Sequence, residues 1–216
     1  MQKTIYKRKN KNYFFSIICA TLGSGNYIDK MINSLSDQTY KKFELIICDQ
    51  NKNNKNLQIL KKYKNISYKY IKCKKGLSLA RNKGISKSNG DILIFIDDDI
   101  ILEKNHISKL NYEFNNKKID ILCYNVINQY NKKLLNYPDK KFYISKIDEI
   151  FNFISSVSFA IKKTNNLKFD TNIGLGSKNI FLSGEETDLI SIKCVVRCND
   201  LNNFYLNSKA LPNLIT

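Results

Sequence analysis

Three consecutive aspartates, Asp97 to Asp99, directly follow the apolar run Ile92 to Ile96. A short apolar run of this kind is typical of a buried strand, so the acids are expected at the edge of a sheet. Neighbouring carboxylates repel one another, and such a cluster is tolerated where water, a basic partner or a cation neutralises it. Because side chains alternate along a strand, we expect Asp97 and Asp99 to share one face and Asp98 to point away. The resulting Asp-x-Asp pair suits a hard divalent ion, Mg2+ or Mn2+, that carries a diphosphate.

The elements that must position these acids alternate between strand and helix. Apolar runs predict strands over 14–20, 43–48, 66–71 and 91–96, and apolar residues at helical spacing predict helices over 26–35, around 57–63 and over 77–86. Asn26 and Asp29 are expected at the N-cap and N3 positions of the first helix. Alternating strands and helices, with strands buried on both faces, predict an α/β domain with a mostly parallel sheet. In such sheets ligands bind beyond the carboxyl ends of the strands.

The second half of the chain is less regular. We expect a helix carrying Ile107, Leu110 and Phe114, then strands over 119–124 and 155–161, and a helix that begins near Ser183. Residues 125–150 show no clean period. His106, the only histidine, is expected to face solvent at the start of its helix.

The composition limits the classes of function. With 216 residues and 43% hydrophobic content, the chain is long enough for one sizeable core. Its net charge of +17 comes mostly from lysines scattered through the sequence, and a composition rich in lysine explains much of that charge without a polyanion partner. With only three arginines, no nucleic-acid partner is expected. The six cysteines lack zinc-site spacing, so no structural zinc is expected. No signal peptide or membrane span is recognised, which predicts a cytoplasmic protein with reduced thiols.

Four segments carry a family resemblance. They are 15–21 (FSIICAT), 34–40 (SLSDQTY), 43–50 (FELIICDQ) and 76–85 (GLSLARNKGI), the last a short distance before the Asp-x-Asp. In this order they resemble the family-2 inverting glycosyltransferases with the GT-A fold, a bacterial group that builds surface polysaccharides. The chain departs from the family at Ala20, where proline is usual, and at Leu22, where an aromatic residue is usual.

The resemblance implies roles for the polar residues at the strand ends. Asp99 is expected to hold Mn2+ or Mg2+ between two phosphates, and Asp97 to share the metal or contact the nucleoside. Alternatives from the residues alone are turn chemistry for Thr21 and Asp49, and a surface ion pair for Arg81. The expected nucleotide-sugar contacts are Thr21, Asp49, Arg81, Asp97 and Asp98.

A further acidic segment, Glu185-Glu186-Thr187-Asp188, resembles the family's Glu-Asp-x-Asp, in which the second acid is the usual catalytic base. This assigns the base to Glu186, with Glu185 and Asp188 as its acidic neighbours. The alternative is a capping box between Ser183 and Glu186 at the start of a helix.

The resemblance thus implies an enzyme that moves a sugar from a UDP- or dTDP-sugar to a hydroxyl of a glycan or lipid-linked acceptor. Peripheral association with the inner face of the membrane is expected, with lysines contacting anionic lipids. We expect a basic extension over 1–12 and one domain over 13–216, with a nucleotide-binding half over 13–103 and an acceptor half over 104–216. Members of the family often carry a histidine late in the domain, near the metal and the diphosphate, and this chain has none between Phe204 and Thr216. A degenerate, non-catalytic relative therefore stays open. A nucleotidyltransferase and a basic polyanion-binding protein also stay open. The oligomeric state stays open as well.

Overall fold

Strands and helices alternate through the first half of the chain, as the apolar periodicity predicts. The computed structural model describes residues 11–23, 25–117, 119–128, 130 and 157–172, together with the backbone of the strands at 142–144 and 204–207. In chain order the elements are β1 (Phe15–Thr21), α1 (Asn26–Ser36), β2 (Phe43–Asp49), α2 (Lys55–Leu60), β3 (Tyr68–Lys72), α3 (Leu77–Lys87), β4 (Ile92–Ile96), α4 (His106–Asn116), β5 (Ile121–Tyr124), β6 (Phe142–Ile144), β7 (Phe159–Lys162) and β8 (Phe204–Asn207).

These strands form one mixed sheet in the order β3-β2-β1-β4-β7-β5-β8-β6. β1 pairs in parallel with both β2 and β4, and β2 pairs in parallel with β3. The carboxyl ends of β1 to β4 therefore lie along one edge of the sheet. β7 runs antiparallel between β4 and β5, which marks the boundary between the parallel half and the less regular half.

The helices pack on both faces of the sheet. α1, α2 and α4 contribute to one apolar cluster, in which Met31, Leu60 and Leu110 are fully buried. α3 contributes Ala80 and Ile85 to a second cluster on the opposite face. Successive residues of β1 alternate between these clusters, so the strand is buried on both sides, as expected for a parallel sheet.

α1 does not begin as predicted. Its N-cap is Gly25, with φ of 93°, and its first helical residue is Asn26. No side chain caps the start of the helix with a hydrogen bond. The Asp29 amide donates to the Gly25 carbonyl at 3.2 Å, which closes the first helical turn one residue earlier than Asn26 would allow. Glycine is favoured here because a side chain disfavours this left-handed backbone conformation.

The contact between α3 and the sheet depends on Gly84. A Cβ at this position would overlap Ile18 Cγ2 on β1 and lie 3.2 Å from Cys48 Sγ on β2. We therefore expect Gly84→Ala to lower the free energy of unfolding by about 1–3 kcal/mol, although alanine normally stabilises a helix interior relative to glycine by about 1 kcal/mol. Urea denaturation measures the change. Lys83→Ala, on the exposed side of α3, is the control and should stay within about 0.5 kcal/mol of wild type; an increase in stability for Gly84→Ala would contradict the packing.

His106 begins α4, but the prediction that it faces solvent is wrong. The residue is 1% exposed, and its ring meets Tyr124 edge-on with 4.7 Å between ring centroids. Burial, with a smaller contribution from Lys109, lowers the pKa of His106 from 6.5 to about 3. The apolar residues Ile107 and Leu110 share the buried side of α4, and position 106 faces the same core.

This buried histidine makes stability depend on pH. The unfolded chain binds a proton at His106 below about pH 6.5, whereas the folded protein resists protonation until about pH 3, so stability falls as the pH is lowered through this window. We expect His106 to remove about 2 kcal/mol of unfolding free energy between pH 7 and pH 5. Urea denaturation of wild type and His106→Leu at both pH values isolates the effect, because the chain has one histidine. An equal pH dependence in both proteins would contradict it.

Candidate active site

A cleft of about 530 Å³ opens at the carboxyl ends of the first four strands. The loop after β1 contributes Leu22 and Gly23, and the end of β2 contributes Gln50. The segment between β3 and α3 contributes Lys75 and Gly76, and the acids after β4 form the remaining side. The convergence of strand ends that the sequence predicts is therefore present.

All three acids after β4 line this cleft, and the expectation that Asp98 points away is wrong. The strand ends at Ile96, and the next residues form a turn in which the Ile100 amide donates to the Asp97 carbonyl at 3.3 Å. Side-chain alternation applies to extended backbone and stops where the turn begins.

Asp98 holds the loop that follows β1. Its carboxylate accepts hydrogen bonds from the Thr21 hydroxyl and, at 3.1 Å, from the Gly23 amide. A Cβ at Gly23 would overlap the Asp98 carboxylate, so glycine is what lets the two segments meet. The Gly23 carbonyl in turn accepts hydrogen bonds from the side-chain Nδ2 groups of Asn51 and Asn56 at 3.0 and 2.9 Å. The predicted residues Thr21 and Asp98 are thus joined in one network on the floor of the cleft.

Asp97 is paired with Arg81, with 3.4 Å between Arg81 Nη2 and Asp97 Oδ1. Arg81 is 1% exposed on α3, and its guanidinium carbon lies 5.4 Å from the centroid of the Phe169 ring. The alternative of a surface ion pair therefore does not hold, because the guanidinium is buried between α3 and Phe169. A buried arginine directed at the acids supplies positive charge that does not depend on solvent.

Asp99 is the most exposed of the three acids. Partial burial against the cleft, strengthened by the charge of Asp98, raises the pKa of Asp99 above its ordinary value. A carboxylate with this electrostatic environment gains most from a nearby cation.

The carboxylate oxygens of the cleft suit a hard divalent ion that is also bound by the phosphates of a substrate. Asp97 and Asp98 are held by Arg81 and Thr21, and within the described residues no cluster of three or more histidine, cysteine or acidic side chains could hold a metal alone. Mg2+ and Mn2+ prefer oxygen donors, and Mg2+ is commonly bound by one or two carboxylates completed by substrate phosphates. The three acids of the cleft offer oxygen donors of this kind.

Asp49 lies beneath the cleft and is fully buried at the end of β2. Its Oδ1 accepts from the Asn51 amide and side chain at 2.8 and 2.9 Å, and its Oδ2 accepts from the Tyr70 hydroxyl at 2.6 Å, with Lys72 Nζ at 3.6 Å. Burial, then the hydrogen bond and charge of Asp49, raise the pKa of Tyr70. These donors occupy both oxygens with which Asp49 could accept a hydrogen bond from the imide N–H of a uracil or thymine ring, the base contact that the family resemblance implies.

Asp49→Asn distinguishes a structural role from base recognition. An asparagine would present an amide to several donors in a buried site, so we expect the free energy of unfolding to fall by about 1–3 kcal/mol. Urea denaturation measures this change, and Asp37→Asn on the exposed end of α1 is the control. Unchanged stability with a large loss of uridine diphosphate affinity would instead favour direct base contact.

Some cleft residues were not predicted. Gln50 follows Asp49 and accepts a hydrogen bond from the Gly76 amide at 2.7 Å, which joins β2 to the start of α3. Lys75 precedes Gly76, so both residues stand beside motifs that were recognised. The acids Glu185, Glu186 and Asp188 lie outside the described residues.

A family model with the description "Glycosyl transferase family 2" matches residues 16–181, which include the cleft and the acids after β4. The chain belongs to this family. The resemblance stated from the four sequence segments is confirmed.

Two curated relatives are similar over part of the chain. Cholesterol galactosyltransferase of Borreliella burgdorferi is 31% identical over 137 residues, covering 59% of this chain and 38% of that protein. Poly(ribitol-phosphate) beta-N-acetylglucosaminyltransferase TarP of Staphylococcus aureus is 34% identical over 119 residues, covering 51% of this chain and 36% of that protein. The family-2 chain thus matches less than two fifths of the length of each relative.

Solved structures share the fold. S. aureus TarS 1-349 in complex with UDP-GlcNAc has a TM-score of 0.69 and 20% identity, covering 91% of this chain and 58% of that chain. Mannosyltransferase PcManGT from Pyrobaculum calidifontis, in complex with GDP-Man and Mn2+, has a TM-score of 0.63 and 10% identity, covering 94% of this chain and 56% of that chain. The predicted GT-A fold is confirmed. Among the described residues, none of the helices has the length and apolar character needed to cross a bilayer.

Proposed function

We propose that this family-2 chain is a metal-dependent inverting transferase that moves a sugar from a UDP- or dTDP-sugar to a hydroxyl of a glycan or lipid-linked acceptor. The observation that carries the proposal is the meeting of Asp97, Asp98 and Asp99 with the buried Arg81 in a cleft at the carboxyl ends of parallel strands. An edge of this kind is where α/β sheets bind nucleotides.

The choice of donor is supported by the dimensions of the cleft and by the neighbours. A volume of about 530 Å³ lies within the range of small-ligand sites. TarS 1-349 has been solved with UDP-GlcNAc, and its fold extends over 91% of this chain. A uridine or thymidine diphosphate offers the diphosphate that acids, a cation and Arg81 would hold together.

Each cleft residue then has a distinct task. Asp99 would hold Mn2+ or Mg2+, with Asp97 as a second oxygen ligand or a contact to the nucleoside. When bound, the ion stabilises the negative charge that develops on the departing nucleoside diphosphate. Arg81 adds fixed positive charge on the α3 side of the acids.

Asp98 and Thr21 have a positioning task in this proposal. Their hydrogen bond, and that of the Gly23 amide, hold the loop after β1 against the acids. A loop fixed before the donor binds needs less ordering when it binds, which favours affinity.

The proton transfer is assigned to Glu186. Its carboxylate would take the acceptor hydroxyl's proton while that oxygen attacks the anomeric carbon from the face opposite the diphosphate, which inverts the configuration. Glu185 and Asp188 complete this acidic segment. Under this proposal residues 13–103 bind the nucleotide and residues 104–216 contact the acceptor, which we place at the inner face of the membrane.

Release of nucleoside diphosphate tests the proposed activity. The full chain is incubated with individual UDP- and dTDP-sugars, with Mn2+ or with a chelator. Water takes the place of the acceptor hydroxyl and receives the sugar, and the free UDP or dTDP is measured. We expect release with at least one donor, and we expect the chelator to abolish it. Absence of release with every donor, while nucleotide binding persists, would favour the degenerate, non-catalytic alternative.

A further inference from the structure

The composition suggested that the lysines of this chain are evenly scattered, but their positions in the sequence show that they are not. Residues 50–90 contain eleven lysines and one arginine but no aspartate or glutamate. This segment therefore supplies most of the chain's net charge of +17. An unbroken single sign of charge over so long a segment points to an interaction surface for an anionic partner.

The fold gathers this segment at one side of the domain. It forms α2, β3 and α3, and β3 is the terminal strand of the sheet. α2 and α3 pack on opposite faces of the sheet, so their lysines surround the β3 edge from both sides. Ten of the eleven lysines are exposed, and we call them the lysine flank.

Protection of the edge strand accounts for only a small part of this charge. Lysines on an edge strand discourage pairing with another chain, but β3 itself carries only Lys69 and Lys72. Lys69 is the half-buried exception and pairs with Glu44 at 2.7 Å. Lys72 donates to the Asn51 carbonyl at 2.8 Å. The other members of the flank lie on α2, α3 and the adjoining turns.

The form of the flank favours a flat anionic surface over a thread-like polymer. It extends over both sides of the sheet edge, and its one arginine, Arg81, is buried and directed at Asp97. Lysines act as point charges and lack the planar fork with which arginine holds one phosphate in a fixed geometry, so they suit many anionic groups spread over a surface. On α3 the exposed residues Leu79, Lys83 and Lys87 are spaced four positions apart and share one side of the helix. Leu79, which is 46% exposed, therefore lies beside the two lysines. An exposed leucine beside lysines can contact the headgroup layer of a bilayer while α3 stays packed on the sheet through its buried residues.

We propose that the lysine flank docks this domain on the surface of an anionic lipid bilayer. Lys75 belongs to the flank and also lines the cleft, so docking would bring the cleft mouth beside the lipid headgroups. The inference rests on the proposed function only in that a lipid-linked acceptor gives docking a purpose. Docking itself needs neither donor nor acceptor, so the two proposals can fail separately.

Vesicle flotation tests the docking. The full chain is mixed with vesicles of phosphatidylglycerol and phosphatidylcholine in equal parts, and with pure phosphatidylcholine vesicles. The test variant combines Lys61→Gln, Lys64→Gln, Lys83→Gln and Lys87→Gln, none of which lines the cleft. The matched control removes the same charge elsewhere, through Lys30→Gln, Lys41→Gln, Lys42→Gln and Lys104→Gln. Glutamine keeps helix propensity close to that of lysine, and circular dichroism checks the fold.

We expect wild type to bind the anionic vesicles and not the neutral ones, and the test variant to lose at least about tenfold in apparent affinity while the control stays within about twofold. If the variant with four substitutions does not fold, two double variants replace it: Lys61→Gln with Lys64→Gln, and Lys83→Gln with Lys87→Gln. Equal loss in test and control variants would overturn the proposal. So would unchanged vesicle binding together with weakened binding of soluble polyphosphate, which would assign the flank to an anionic polymer.

Discussion

Replacing Asp99 with asparagine is expected to lower kcat/KM for nucleoside diphosphate release by at least about a hundredfold. Asp99 is the most exposed acid of the cleft, and its raised pKa reflects partial burial and the charge of Asp98. Asparagine keeps the size of the side chain but removes the charge that a divalent ion would neutralise. Steady-state measurements across a range of Mn2+ concentrations separate weaker metal binding from slower chemistry.

The control for this experiment is Asp37→Asn, an exposed acid at the end of α1 away from the cleft. It should leave kcat/KM within about twofold of wild type, as expected for a surface substitution. Activity of Asp99→Asn that equals wild type and keeps the same Mn2+ dependence would remove Asp99 from the site. Asp97→Asn is less informative, because it also breaks the pair with Arg81.

Replacing Glu186 with glutamine is expected to lower sugar transfer by about 10²–10⁴-fold, the usual contribution of a general base. Donor affinity should change little, because the proposed base would contact the acceptor hydroxyl and not the nucleotide. Transfer is measured as donor-dependent diphosphate release, and affinity by calorimetry with UDP and Mn2+. Glutamine retains the length of the side chain, so a loss of transfer reports the lost carboxylate.

Two companion variants make the assignment specific. Glu185→Gln and Asp188→Asn alter the acids on either side of Glu186 and should reduce transfer less than Glu186→Gln does. The capping alternative predicts a different pattern, in which transfer survives and the free energy of unfolding falls by about 1 kcal/mol. That pattern would leave the base unassigned among the acids of this segment.

The parallel half of the fold was predictable because its signals are local. β4 is a continuous apolar run, β1 is apolar except at Ser16 and Thr21, and α1 carries apolar residues at helical spacing, so short windows define them. The order β3-β2-β1-β4 follows once the elements and the family are recognised. β6 and β8 were missed, because each pairs with a strand distant in sequence and neither shows a period of its own.

The site was predictable in its membership more than in its geometry. The sequence identified the acids after β4 and Arg81, but strand alternation was extended one turn too far, which misplaced Asp98. Asp49 was identified from a motif, whereas its burial and its bonds to Asn51 and Tyr70 arise only from tertiary packing. His106 was misjudged for the same reason, since one polar residue at a helix start gives no signal of the ring it packs against.

The most direct test of the central claim is a thermal unfolding experiment on the full chain with UDP or dTDP, each with and without Mn2+. A ligand that binds the folded state raises its stability by mass action. We expect UDP or dTDP to raise Tm clearly in the presence of Mn2+ and much less in its absence, and we expect Asp99→Asn to lose the Mn2+-dependent part. No Mn2+-dependent rise with either nucleotide would contradict the account of the cleft as a metal-assisted nucleotide-sugar site.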